Sequence, residues 1–260
     1  MTEGRWQSQG TTAGAGIINI PDADLEISFQ RDRHRTLRLT VKPDGSVHAK
    51  APAGMGMEAI KAFILSRLGW IEEKREFFLS HRGEEASIRE GGIIWCRGTP
   101  RTIRAVPMRR GKMPVLLDDA LELPCHLAIA EDGICPEALL RRAFLAWRHA
   151  FAAKFLAERL AELDARARAI LGDGAAFSRL TIKALKRRWG SCSAKGEICL
   201  ASALTALPDD LIDFVILHEL CHLRHMDHGP AFHVALRSLV PNEKALDGRL
   251  RIWGLEHPRI

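Results

Sequence analysis

The 260-residue chain contains no tyrosine, so no phenol can serve as acid, base or hydrogen-bond donor in its chemistry. No apolar run reaches the roughly 18 residues needed to cross a bilayer, and no membrane partner is expected. No N-terminal stretch combines a basic start, an apolar run and a small-residue cleavage site, so the expected location is the cytoplasm. Cysteine is sparse and unpaired in sequence: Cys96, Cys125, Cys135, Cys192, Cys199 and Cys221 form no CxxC motif. In a leaderless chain of this size they are expected as reduced thiols rather than a disulfide framework. Internal repeats and low-complexity segments are absent too.

What is present suits a globular protein: 47% of residues are hydrophobic and 27% charged, enough for one large domain or two smaller ones. The formal charge of +6 favours an acidic partner such as nucleic acid. Basic clusters stand at Arg31 to Arg35, at Arg109, Arg110 and Lys112, and at Lys183 to Arg188. A charge run is as readily a solvated face, so this balance does not settle the matter.

The order of patterns predicts an α+β fold. Residues 1–18, rich in Gly, Thr and Ala, form an expected flexible tail. "LEISFQ" and "TLRLTVKPDGSVHAKAP" alternate around a Pro-Asp-Gly turn, with Leu37, Leu39 and Val41 on one side, and predict antiparallel strands with a hairpin. "MEAIKAFILSRLGWIEEKREFFLSH" turns to helical spacing, and "GGIIWCRGTPRTIRAVPM" and "PVLLDDALELPCHLAIA" predict two further strand pairs. A β-rich N-terminal region with one helix therefore spans 19–135. From Pro136 to about Ile170, Leu140, Phe144, Trp147, Phe151, Phe155 and Leu156 mark one broad helical face. "RLTIKALKRRWGSCSAKGEICLAS" reads as a strand, an interruption around Trp189 to Gly196, and a second strand. Pro208, Asp209 and Asp210 start a helix through "LIDFVILHELCHL", and a short helix follows, bounded by Pro230 or Pro241. These elements make up a region over 136–260.

Five of the eleven histidines fall within "HELCHLRHMDHGPAFH", residues 218 to 233. On a helix His218 and His222 lie one turn apart and point the same way, so their ring nitrogens can converge on one ion, with Glu219 beside them. This is the H-E-x-x-H geometry of zinc hydrolases, in which the Glu takes a proton from water that the metal acidifies. A catalytic zinc has three protein ligands and one open position. His228 is the leading third ligand, beyond the helix end where "MDHG" can turn the chain back. His225 and His233 are alternatives, and Asp227 can orient a ligand. The spacing approaches H-E-x-x-H-x-x-G-x-x-H, but His225 occupies the glycine position and no methionine follows Met226, which argues against a metzincin. "LIDFVIL" makes the helix apolar all round, where two imidazoles and a carboxylate are costly unless paired or bound to metal.

"RRWGSCSAKG", residues 187 to 196, precedes that helix. Taken alone, Trp189-Gly190-Ser191-Cys192 is a strand edge with a glycine that permits close backbone approach. Together with the metal helix it resembles the YgjP-like metallopeptidase family, metal-dependent hydrolases related to the SprT-like and WLM zinc proteases. The resemblance runs from about residue 25 to 240 and is most specific from Arg187 to Phe232. It implies one zinc ion on His218, His222 and His228, Glu219 as the base, and a peptide or protein substrate. It also implies a zincin-like C-terminal half whose Trp-Gly-Ser-Cys strand edges the cleft. An extended peptide can pair with such an edge, which assigns substrate binding to Arg188, Trp189, Gly190, Ser191 and Cys192.

The chain departs from that family where Ala201-Ser202-Ala203 replaces the usual Asn-Trp-Arg and where Phe214 replaces a common Tyr. Without tyrosine, the oxyanion candidates are His225 and His233, with Arg187 or Arg188 as substitutes. Cys192 and Cys221 read as packing side chains and Trp189 as either a groove wall or a core cap. His34, His48, His81, His126, His149 and His257 carry no assigned role. Two further functions stay open: a nucleic-acid-associated protease of the SprT/WLM type, and a non-catalytic binding protein that zinc merely stabilises.

Overall fold

Alternation along Leu25–Asp32 buries Leu25, Ile27 and Phe29 on one face and leaves Glu26 and Gln30 outward. The same alternation builds the first sheet in the computed structural model. The residues described are 8–12, 15–20, 23–33, 35–83, 87–125, 135–172 and 176–257. Contacts divide the chain into two units, Met1–Gly83 and Glu84–Ile260.

The first unit carries β1 (Ser8–Thr12), β2 (Ala15–Ile20), β3 (Leu25–Asp32), β4 (Arg38–Val41) and β5 (Val47–Pro52), in spatial order β1-β2-β3-β5-β4. The Pro-Asp-Gly turn joins β4 to β5 as an antiparallel hairpin, with Gly45 at φ 81°. Two expectations are corrected. Within the supposed tail, Ser8–Thr12 and Ala15–Ile20 pair as strands; residues 1–7 and 13–14 lie outside the described residues. "LEISFQ" pairs antiparallel with β2 but parallel with β5, since alternation reports a buried face and not a strand direction. The single expected helix is two, α1 (Met57–Leu65) and α2 (Leu68–Ser80). The chain tightens between them, where the Arg67 amide donates to the Ile64 carbonyl, and Ile60, Ile64 and Ile71 still reach one core.

In the second unit β6 (Ile93–Cys96) and β7 (Thr99–Pro107) form a hairpin through Arg97 and Gly98, both at positive φ, as a tight two-residue turn demands. With β8 (Val115–Leu116) and β9 (Ala120–Cys125) the order is β6-β7-β9-β8. Residues 126–130, the rest of the third expected strand pair, lie outside the described residues. α3 (Glu137–Leu171) buries Leu140, Phe144, Arg148, Ala152, Leu156, Leu160, Leu163 and Ala167, nearly one residue every four. Its first half packs on the sheet core around Ile103, Leu121 and Leu123, and its second half on a core that includes Ile212, Ile216 and Leu220. The division at Gly83 therefore corrects the boundary expected at 135: β6–β9 share their core with α3. Because α3 settles on β9, Cys125 at the strand end meets Cys135 before the helix, with Cα atoms 6.3 Å apart, and the two form a disulfide. The expectation of six reduced thiols is corrected at this pair.

β10 (Arg179–Lys183), β11 (Gly190–Cys192) and β12 (Glu197–Ala201) make the third sheet, in order β10-β12-β11. The expected interruption around Trp189 thus holds a strand of its own, at the sheet edge among the described residues. Each of the three sheets repeats one arrangement: of three successive strands, the first and third pair in parallel and the middle one takes the edge. A short 3-10 turn, Ser202–Ala206, leads to α4 (Asp209–His222), followed by α5 (Pro230–Leu239) and α6 (Glu243–Glu256). Ala201, Ser202 and Ala203 are buried there, and the Thr205 and Ala206 carbonyls accept the Arg97 and Gly98 amides. A side chain at Gly98 would strike the Pro208 backbone at 2.9 Å, so this hairpin tip seats directly against the start of α4.

Candidate metal centre

α4 starts where a helix should. Pro208 precedes Asp209 and Asp210, whose charges oppose the positive end of the helix dipole and pair with Arg97 and Arg249. Asp213 accepts two hydrogen bonds from Arg159 of α3, both at 2.6 Å, and fixes the helix against α3. Leu211, Ile212, Phe214, Val215, Ile216, Leu217, Leu220 and Cys221 are all buried, so the last turn is held rigidly within the core. That turn carries His218, Glu219 and His222.

After His222 the chain folds back on the helix. The His222 Nδ1–H donates to the His225 carbonyl at 2.9 Å, which leaves Nε2 with a free lone pair. Asp227 accepts from the Gly229 amide at 3.4 Å and shapes the turn that presents His228. His218 Nε2 lies 3.3 Å from His222 Nε2 and 3.1 Å from His228 Nε2. Zinc–nitrogen bonds of 2.0–2.1 Å at a tetrahedral angle place ligand nitrogens about 3.3 Å apart. Two of the three nitrogen pairs stand at about that spacing, and the ligand atoms of all three imidazoles lie within 4.8 Å of one another, so the group could hold a metal ion.

Burial, reinforced by the other histidines, pushes His218 down to about 4 and also lowers His222, so both stay neutral and able to bind metal at neutral pH. Burial pushes the Glu219 carboxyl up to about 7, with Arg188 acting against it. Only 5% of Glu219 is exposed, and its Oε2 has no hydrogen-bond partner among the described residues. Its neighbour is Gly190 of β11: a Cβ there would meet Glu219 Oε1 at 2.6 Å, Cγ at 2.8 Å and Cδ at 2.9 Å. The close approach that this glycine permits is therefore made by the carboxylate of α4. Cys192, half-buried on the same strand, has its thiol raised by burial and by the Glu219 charge.

Phe232 of α5, missed in the sequence reading, lies fully buried beneath the site, with ring centroids 4.9, 4.7 and 4.7 Å from His218, His222 and His228. The apolar spacing of Phe232, Ala235, Leu236 and Leu239 was a readable signal for a buried face, though not for what it would meet. Phe214 is buried and also sets its ring edge toward His218 at 6.3 Å.

The other candidates lie in several surroundings, and of them His233 alone shares the pocket lining with His218 and His228. His233 Nδ1 lies 3.5 Å from Glu243 Oε1. His225 contributes its carbonyl to His222. Arg187 and Arg188 are exposed, Ser191 pairs with Cys199, and Trp189 packs against the core, its ring 3.9 Å from the Cβ position of Gly254. Cys221 is fully buried and its thiol is pushed up to about 12, as a packing residue should be. Among the described residues, no helix is long and apolar enough to cross a membrane.

Residues 35–252 match the family described as YgjP-like, metallopeptidase domain. A "UTP pyrophosphatase" of Escherichia coli strain K12 is 30% identical over 64 residues, which cover 25% of this chain and 38% of that protein. The crystal structure of the metallopeptidase zymogen of Pyrococcus abyssi abylysin is similar at 26% identity and a TM-score of 0.32, over 35% of this chain and 90% of that one.

Proposed function

Because the chain belongs to the YgjP-like metallopeptidase domain family, we propose that it is a zinc-dependent peptidase with a zincin-like active site, held by the H-E-x-x-H turn of α4. The observation that carries this reading is the convergence of three imidazole nitrogens beside a buried carboxylate on the same helix turn. His218, His222 and His228 would hold the ion. Zinc there would supply Lewis acidity, which brings a water proton within reach of a carboxylate at neutral pH. Glu219, a buried carboxyl on the same turn, would take that proton and pass it to the leaving nitrogen. Gly190 lets that carboxylate stay where it is packed. β11, at the sheet edge among the described residues, would pair with an extended substrate. His233, at the pocket wall, would donate to the oxyanion in a chain that has no phenol. Glu219→Gln tests this: it should keep near one zinc per chain while peptide cleavage falls by at least about a hundredfold. Normal turnover in that variant would refute the assignment.

A second reading keeps the site and changes the substrate to a nucleotide phosphoanhydride. It is favoured by the segment shared with a protein named UTP pyrophosphatase. Pyrophosphate release from UTP, measured beside cleavage of a peptide pool on the same zinc-loaded sample, separates the two.

A further inference from the structure

A pocket of about 740 Å³ opens beside the three histidines, and two of them, His218 and His228, form one end of it. Its floor is apolar. Phe214, Phe232 and Leu236 line it, each with 5% or less of its surface exposed, so these rings and the leucine are held in place by the core behind them. Its far rim is charged, but the charges cancel. Arg237 donates to Glu243 Oε1 at 3.1 Å, and His233 faces the same oxygen. Glu243 is itself 95% buried at the first turn of α6, where the helix dipole favours it; its Oε1 faces Arg237 and His233, and its Oε2 is buried without a hydrogen-bond partner among the described residues, closed off from a ligand in the pocket. Lys244 and Asp247, one turn apart on α6, add one charge of each sign.

We propose that this pocket is the side-chain subsite of the enzyme and that it selects a large apolar residue, aromatic or leucine-like, next to the scissile bond. The assignment rests on the metallopeptidase reading above. Continuity with the metal ligands places the occupant within one residue of the reacting carbonyl. A rim without net charge gives no purchase to an acidic or basic side chain, whereas a rigid apolar floor rewards the burial of a ring. Phe232 serves both sides at once, supporting the imidazoles and flooring the pocket.

The test is binding of glycine hydroxamate and L-phenylalanine hydroxamate, two zinc chelators that differ only in side chain, to the zinc-loaded full-length protein by titration calorimetry. The phenylalanine compound should bind about 10- to 100-fold tighter. Leu236→Phe, which narrows the pocket, should shrink that ratio at least several-fold, with zinc content and thermal unfolding of the variant measured beside it to report that fold and metal are intact. Equal binding of the two compounds by the wild type would overturn the proposal. So would a phenylalanine preference that Leu236→Phe leaves untouched. Failure of both compounds to bind the zinc-loaded protein would overturn the open metal site and the subsite together. If the preference holds but no peptide from a random pool is cut, the peptidase reading alone falls and the apolar subsite stands.

Discussion

The contact between Gly190 and Glu219 lends itself to a sharp test. Replacing Gly190 with alanine adds one methyl group, and Gly190 is not at positive φ, so the backbone accepts the change without strain. The whole effect must come from contact. The new carbon would sit 2.6 to 2.9 Å from three atoms of the Glu219 side chain, well inside ordinary van der Waals separation. Glu219 has no easy escape, since only 5% of it is exposed. Forced overpacking of this kind costs about 1–3 kcal/mol. A displacement of the base by about 1 Å costs on the order of a hundredfold in rate. We expect Gly190→Ala to lower stability by about 1–3 kcal/mol in urea unfolding and to cut kcat sharply with zinc content unchanged. In a Glu219→Ala background the methyl has room, and the same substitution should cost less than about 0.5 kcal/mol. An equal cost in both backgrounds would refute the reasoning, because the penalty would then come from elsewhere on β11.

Phe232→Ala should destabilise the protein by about 3–5 kcal/mol and weaken zinc binding, because the ring is fully buried under all three imidazoles. Phe232→Leu, which keeps most of the volume, should lose far less of both, and equal losses in thermal unfolding and zinc titration would count against the platform role. The metal-free protein should also show a signature of Glu219. Its folded-state value is raised from 4.5 to about 7, so the stability of the protonated form is fully present below 4.5 and is lost as pH rises towards 7. With chelator present, wild type should therefore lose stability relative to Glu219→Gln between pH 4.5 and 7, with little further change above. A difference that stays flat over that window would show the carboxyl to be solvated.

The helix α4 and the convergence of its histidines were legible because spacing and burial are both local. His218 and His222 are bound to face alike at a spacing of four, and the flanking apolar run needs no tertiary knowledge to be read as buried. His228 could be ranked from spacing alone because only a short turn was needed to bring it back. Phe232 escaped because an apolar residue on an apolar helix face looks the same whether it meets leucine or imidazole. Gly190 was read as an approach point, but the group that approaches it comes from a helix some thirty residues later in the chain, a distance at which pattern is silent. The break between α1 and α2 was hidden because Ile60, Ile64, Leu68 and Ile71 keep helical spacing across the exposed Ser66 and Arg67. The parallel pairings and the Cys125–Cys135 bond share another cause: each depends on which distant segment settles beside which, and alternation and spacing do not encode that choice.

The arrangement repeated in all three sheets has a consequence for how this site can change. In β10, β11 and β12 the strand that is second in sequence is last in space, and the connection before it, residues 184–189, returns to an edge and not to an interior position. The parallel pair of β10 and β12 is closed without it. Lengthening, recharging or re-aiming that connection therefore alters the sheet edge beside Glu219 while the ladder behind it keeps its register. The fold leaves the strand beside Glu219 as the part most free to vary, and in the peptidase reading proposed above a new substrate preference would be acquired there without rebuilding the three-histidine centre.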